Sequence, residues 1–201
     1  MKIVLATNND HKIKEINEIL SDLKAEILTL KDFPPYRIPE EKGKTFEENA
    51  LIKAKEAFKH TNIVSIADDS GLEVEALGNS PGIMSARFAG PGCSYKDNNI
   101  KLLDLLKDVP DPKRGATFRC VVAIVFSLSD FRIVEGKVNG IISRSEMGER
   151  GFGYDPVFHY PPLGKTFAQL KPEEKNQVSH RAIAFKKAQK VLEEFAKGEK
   201  V

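Results

Sequence analysis

Two β-rich runs, Ala116 to Ser127 and Arg132 to Ile142, flank the short segment Leu128 to Phe131. Runs of this length joined this tightly read as a long antiparallel hairpin, which needs further elements to cover it. The N-terminal half supplies them in alternation. Met1 to Ala6 is a continuous apolar run of the kind a buried strand shows. Ala25 to Leu30 is a second strand, and Ile63 to Ala67 a third that ends in Asp68-Asp69-Ser70-Gly71. Between them Ile13, Ile16, Ile19 and Leu20 recur at helical spacing and predict an amphipathic helix over residues 10–21, capped by Thr7-Asn8-Asn9-Asp10. Residues 31–44, with Pro34, Pro35, Pro39 and Gly43, form a loop. Thr45 and Glu48 then make a capping box for a helix running to about His60. Residues 94–107 and 179–197 predict two more helices. Early alternation followed by a late hairpin gives an α/β fold with a mixed sheet.

Composition bounds the partners. The 201 residues fit one domain, 1–201, in two lobes. Lys and Arg number 31 against 29 for Asp and Glu, so the chain lacks the basic surplus that DNA or RNA backbones attract. No stable nucleic-acid binding is expected, whereas a small phosphorylated ligand needs only a few local cations. No apolar run approaches the roughly 18 residues of a membrane span, and MKIVLATNND turns polar too early for a signal peptide. Cys93 and Cys120 form no CxxC pair and suggest neither a disulfide framework nor a zinc site. A soluble cytoplasmic protein is the expectation.

Several segments carry chemistry, and each alone has an ordinary structural reading beside the functional one. The strand–loop–helix passage Thr7 to Lys12 presents a helix N-terminus, whose free N–H groups and dipole suit a phosphate, with Lys12 one turn in. It lacks the glycines of a Walker A loop, and an ordinary capped helix would look the same. On the helix that starts at Thr45, Phe46, Ala50, Leu51, Ala54, Ala57 and Phe58 share an apolar arc, with Asn49 and Lys53 together at its edge. Lys53 there either snorkels or meets an anion. Adjacent carboxylates at a buried strand end are costly unless they hold a cation or are fully hydrogen-bonded. Asp68 and Asp69 point to opposite faces, so one of them addresses a given site. Sparse carboxylate ligation of that kind suits Mg²⁺, and a turn capped by Asp is the alternative. Glu40-Glu41 offers a second carboxylate. Toward the C-terminus, the loop Phe152-Gly153-Tyr154-Asp155 can stack an aromatic ring on a base. Lys175 belongs to the same set, and His180 and Arg181 at the start of the last helix can donate to carbonyl oxygens.

Their order and spacing resemble the inosine triphosphate pyrophosphatase, or Ham1-like, family. The likeness is carried by TNNDHK, EKGKTFEENALIKA, ADDSGLEV, PGIMSARFAG, GFGYDPVF and EEKNQVSHRA, and it covers about residues 1–195. It implies a mixed, twisted β-sheet flanked by helices, with two lobes around a central cleft, and a homodimer. It also implies Mg²⁺-dependent hydrolysis of ITP, dITP or XTP to the monophosphate and pyrophosphate, which cleanses the nucleotide pool. Carried over by motif, Thr7, Asn8, Asn9, Asp10, His11 and Lys12 bind the triphosphate, and Lys53 adds a second phosphate contact. Asn8 stands where a glycine is common in the family. Glu41 and Asp69 are the metal carboxylates, with Glu40 the alternative to Glu41, and Asp69 is also the catalytic base. Ser70, Phe152, Gly153, Tyr154, Asp155, Lys175, His180 and Arg181 are nucleotide and base contacts. PGIMSARFAG stands open between a dimer contact and a lobe hinge, with Arg87 in reach of a phosphate. Three other readings compete: a Maf-like nucleotide pyrophosphatase, a regulatory nucleotide-binding module, and a nucleic-acid binder. The FGYD and SHR elements oppose the first, the carboxylates at 41 and 69 the second, and the charge balance the third.

Overall fold

A computed structural model of the chain describes residues 1–35, 39 and 42–198. Strands β1 (Lys2–Leu5), β2 (Glu26–Thr29), β3 (Ser65–Val74), β4 (Ser80–Pro81), β5 (Gly115–Val125), β6 (Phe131–Ile142), β7 (Phe158–Tyr160) and β8 (Lys165–Thr166) form one eight-stranded sheet. Its order is β2-β1-β3-β5-β6-β7-β8, with β4 paired to β3. The helices are α1 (Asp10–Ile19), α2 (Phe46–Thr61), α3 (Tyr95–Leu105), α4 (Pro172–Val178) and α5 (His180–Ala196). β1 runs parallel to β2 and to β3, whereas β6, β7 and β8 pair antiparallel, so the sheet is mixed. The expected hairpin is present. The Phe126 N–H donates to the Asp130 carbonyl at 3.0 Å, and the Thr117 hydroxyl lies 3.0 Å from the Asn139 amide oxygen. Both pairs are centred on Leu128, as a single antiparallel register requires.

The third strand departs most from expectation. It does not end at Asp68 but runs ten residues through the acidic pair to Val74. Two carboxylates in a buried strand would normally stop it, and here cationic side chains on both faces let it continue. Four short elements, β4, β7, β8 and α4, carry too little periodicity to be seen in the sequence. On α2, the buried set is Phe46, Asn49, Ala50, Lys53, Ala54 and Ala57, so the inward face is rotated toward Asn49 and Lys53, and Leu51 and Phe58 are only half-buried.

The chain divides into two compact units, one of Met1–Asp69, Cys120–Gly136 and Arg181–Val201, the other of Ser70–Arg119 and Lys137–His180. In the first, Ile3, Leu5, Ile66, Cys120, Val122 and Ile124 from the strands meet Ile16 of α1, Leu20 at its C-cap, and Ala184, Phe185, Ala188 and Leu192 of α5. Side chains alternate along a strand. Ile66 and Asp68 therefore share the face toward α1 and α5, and Asp69 takes the opposite one. In the second unit, Ser85 ties the PGIMSARFAG segment to its surroundings. Its hydroxyl accepts from the Leu72 N–H at 2.9 Å, and its carbonyl accepts from the Tyr154 hydroxyl at 2.9 Å and the Asn98 amide at 3.3 Å. Among the described residues no helix is long and apolar enough to cross a membrane.

Arg114 fastens the second unit. It is buried, and its guanidinium donates to the carbonyls of Ile142 at 2.7 Å, Leu106 at 2.5 Å and Ser143 at 2.8 Å. Leu106 is the C-cap of α3, where a cation meets the negative end of the helix dipole. Burial, followed by nearby Arg144, lowers the pKa of Arg114. Replacing Arg114 with Met leaves two buried carbonyls and one part-buried carbonyl without this donor, each buried loss costing about 1–3 kcal/mol. Arg114→Met is expected to lose about 3 kcal/mol or more of unfolding free energy, read by urea denaturation.

Candidate active site

The centre of the first unit is the pair Asp68 and Asp69, buried at 3% and 7% residual exposure. Alternation sends them to different partners. Asp68 Oδ2 accepts from the Lys12 ammonium at 2.7 Å, lies 3.8 Å from Arg181 Nη2, and has the Cys120 thiol 3.9 Å away. On the far face, Asp69 Oδ1 is 3.0 Å from Lys53 Nζ, and Oδ2 accepts from the Asn49 amide at 3.3 Å. Burial alone would raise the Asp68 carboxyl. Lys12, Arg181 and Lys53 outweigh it and hold the group well below the usual carboxylate range. Burial likewise works against the charge on Arg181, and Glu15 and Asp68 overcome it to raise its pKa further. Glu15 accepts from Arg181 Nη1 at 2.6 Å.

Local sequence explains how these groups reach the centre. Asn9 is the N-cap of α1, its side chain accepting from the Lys12 N–H at 3.2 Å, and the Thr7 hydroxyl in turn accepts from the Asn9 N–H at 3.2 Å. One orphan donor of the helix is thus already met within the chain. Lys12, one turn in, turns its side chain to Asp68. Asn8, Asp10 and His11 are exposed, and Asp10 pairs with Lys31 at 2.6 Å. On α2, Asn49 and Lys53 stand one turn apart and both face Asp69. The orientation of the Asn49 amide is fixed from behind, because its oxygen accepts from the Gly43 N–H at 2.8 Å. A Cβ on Gly43 would lie 2.6 Å from that oxygen, so a close backbone approach requires glycine there.

The second unit gathers the remaining candidates around an aromatic wall. Phe118 stacks on the His180 ring at 4.4 Å with planes 9° apart, and Phe158 and Phe167 complete the cluster. In the loop before β7, Asp155 Oδ2 accepts from the Phe152 N–H at 2.9 Å and from Lys175 Nζ at 2.5 Å. Gly151 has φ of +72°, and a Cβ there would collide with the Asp155 carboxylate. Lys175 also lies 5.1 Å over the half-buried Phe152 ring, whose other neighbour is Tyr95 at 5.9 Å. The buried Tyr154 ring anchors the loop through its hydroxyl bond to Ser85, and burial raises its pKa. Asn99, on α3, donates to the Gly153 carbonyl at 3.1 Å.

The structure thus assembles Lys12, Lys53, Asp69 and Arg181 in one unit, and Phe152, Gly153, Tyr154, Asp155, Lys175 and His180 in the other. Ser70 directly follows Asp69 on β3. Glu41 and its alternative Glu40 lie outside the described residues. Among those residues no three His, Cys, Asp or Glu side chains group as a metal cage. Sequence reasoning missed Asp68 as an ion-pair centre, Glu15 as the partner of Arg181 and Asn49 as the partner of Asp69. Two signals were available: Glu15 sits three residues from Lys12 on the same helix face, and Asn49 sits one turn before Lys53.

A family model described as the Ham1 family matches residues 3–191. A dITP/XTP pyrophosphatase of Desulforamulus reducens is 47% identical over 192 residues, covering 96% of each chain. The solved structure of a HAM1 protein from Coxiella burnetii superposes with a TM-score of 0.87 at 40% identity, covering 96% of this chain and 99% of that one. A nucleoside-triphosphatase / dITP/XTP pyrophosphatase structure from Mycobacterium abscessus gives 0.76 at 43% identity, over 96% and 98% of the two chains.

The buried ion pairs have a pH signature. Because the Asp68 pKa is depressed by folding, its stabilisation is present above the ordinary carboxylate range near about pH 4 and is lost as pH falls toward the folded value. Asp68→Asn leaves Lys12 and Arg181 without this counter-charge, a loss of about 3–5 kcal/mol at neutral pH. Unfolding curves from pH 7 downward are expected to show that gap narrowing below about pH 4.

Proposed function

The chain belongs to the Ham1 family, and we propose that Asp69, Lys53 and Lys12 are the groups with which it hydrolyses deaminated purine nucleoside triphosphates, dITP, ITP and XTP, to monophosphate and pyrophosphate. The observation that carries the reading is the buried Asp69 carboxylate, held mid-strand by Lys53 and Asn49 of α2. The whole of 1–201 acts as one pyrophosphatase domain.

Asp69 suits Mg²⁺. The ion takes one or two protein carboxylates and completes its shell with water and substrate phosphates, so it needs no cage of three side chains. Glu41 is assigned as the second carboxylate. Bound there, Mg²⁺ supplies Lewis-acid polarisation of the phosphate oxygens. The chain does the rest. Asp69 accepts the proton of the water that attacks the α-phosphorus. Lys53 and Lys12, with the backbone of Thr7 to His11, offset the charge that grows on the departing pyrophosphate.

Base choice follows from hydrogen-bond polarity. Hypoxanthine and xanthine present a 6-oxo acceptor, to which a ring N–H of His180 and the Arg181 guanidinium can donate, the first stacked on Phe118 and the second tied to Glu15. Adenine presents a 6-amino donor, which leaves buried donors unmatched. Phe152 offers its ring face for stacking, and Lys175, Asp155 and Tyr154 keep that loop in shape. The family likeness further supports a homodimer and a cytoplasmic place beside the nucleotide pool.

Purified enzyme with Mg²⁺ and dITP is expected to release pyrophosphate, and orthophosphate as the first product would overturn the reading. Turnover of dITP should exceed that of dATP by about 100-fold or more. Asp69→Asn should lose about 1000-fold in kcat, assayed below its own melting transition, because unpairing the buried Lys53 also lowers stability. Near-normal turnover of that variant would remove Asp69 as base. Sedimentation at micromolar concentration reads the dimer directly.

A further inference from the structure

Asp68 has no place in the chemistry above, yet its side chain keeps only 1% of its exposure. One oxygen, Oδ2, serves two cations: the Lys12 ammonium at 2.7 Å and Arg181 Nη2 at 3.8 Å. The side chains of Lys12, Asp68 and Arg181 retain 16%, 1% and 3% of their exposure, so little water screens the three charges from one another. Arg181 is held on its other side by Glu15, and the thiol of Cys120 lies beside the shared oxygen. We propose that Asp68 is a positioning residue that couples the two ends of the nucleotide, because the same carboxylate oxygen holds the triphosphate lysine and the base-reading arginine.

The proposal rests on the assignment of Lys12 to the triphosphate and Arg181 to the base. Its logic is competition for one acceptor. A triphosphate that draws the Lys12 ammonium toward itself weakens that lysine's hold on Oδ2. The oxygen is then more available to Arg181, which stands a full ångström farther off, and the guanidinium is pulled against its Glu15 anchor. Coupling of this kind is reciprocal, so occupation of the base end alters the grip on phosphate by the same factor. Base discrimination therefore depends on the triphosphate being in place. No bond is made or broken at Asp68; it acts entirely through its two partners.

The test is a double-mutant cycle on kcat/KM, using wild type, Lys12→Met, Arg181→Lys and the double variant with dITP and dATP in Mg²⁺. Two independent contacts to opposite ends of a substrate would give losses that multiply, and a change at the phosphate end would leave the dITP-to-dATP ratio alone. The coupling predicts instead that Lys12→Met shifts that ratio about threefold or more, and that the double variant retains about fivefold or more beyond the product of the single losses. If both single variants are impaired, the losses multiply and the ratio stays constant, the coupling is overturned and the site assignment survives. If Lys12→Met binds dITP as tightly as wild type, the assignment of Lys12 fails and the coupling falls with it. The cycle does not depend on an Asp68 variant that folds. Where Asp68→Asn gives a cooperative thermal melt, the same two substitutions in that background are expected to become multiplicative, and persistence of the non-additivity there would assign it to another residue.

Discussion

Two neighbouring carboxylates in the middle of a buried strand set the terms for the first unit of this protein. A strand cannot bury Asp68 and Asp69 unless each is met by positive charge or hydrogen-bond donors, and alternation forces the two solutions onto opposite faces. On one face α1 and α5 must come close enough for Lys12 and Arg181 to reach Asp68. On the other, α2 must come close enough for Lys53 and Asn49 to reach Asp69. The alanines of α2 at 50, 54 and 57 are what allow that approach, since larger side chains there would hold the helix away. The helix placements around β3 are therefore as much an electrostatic arrangement as a hydrophobic one.

The same constraint separates the tasks of two identical residues. Asp68 is enclosed by two cations and a thiol on the side of the main apolar core, and its charge is locked on. Asp69 meets the Lys53 ammonium and the Asn49 amide, and that amide is itself oriented by the Gly43 backbone in the loop that leads into α2. A carboxylate held by a neutral donor on one oxygen keeps more freedom to exchange partners than one shared between two cations. The proposed division, a reacting carboxylate at Asp69 and a positioning one at Asp68, rests on that difference rather than on anything in the two side chains.

Much of this was legible in the sequence because it is periodic. The strands of 2–5 and 26–29, the helices from Asp10 and Phe46, and the hairpin centred on Leu128 follow from apolar spacing and capping residues, and the structure keeps them within a residue or two. Lys53 drew notice because a lysine beside an apolar arc is out of pattern, and it proves to be inside the buried face. What periodicity could not show were interactions between distant segments. Arg181 meets Glu15 across more than a hundred and sixty positions, and the strand continues past Ala67 only because such partners arrive. Arg114 is the same case: nothing near it in sequence announces that its guanidinium will gather carbonyls from α3 and β6.

Arg114 and Arg181 also show why burial alone does not identify a site. Both are 2% exposed. Arg114 donates to carbonyl oxygens, dipoles that cannot leave it, and its pKa is lowered by the cost of burial. Arg181 faces two carboxylates, one of them shared with a second cation, and its pKa is raised. The first arrangement has a single good geometry and serves as a fastening. The second sets two carboxylates, Glu15 and Asp68, against two cations, Arg181 and Lys12, so the charges balance only as a set and the position of each depends on the others. The near-neutral total of the chain conceals this local concentration of paired charge, which under the proposed assignment of Lys12 is what an incoming phosphate would perturb.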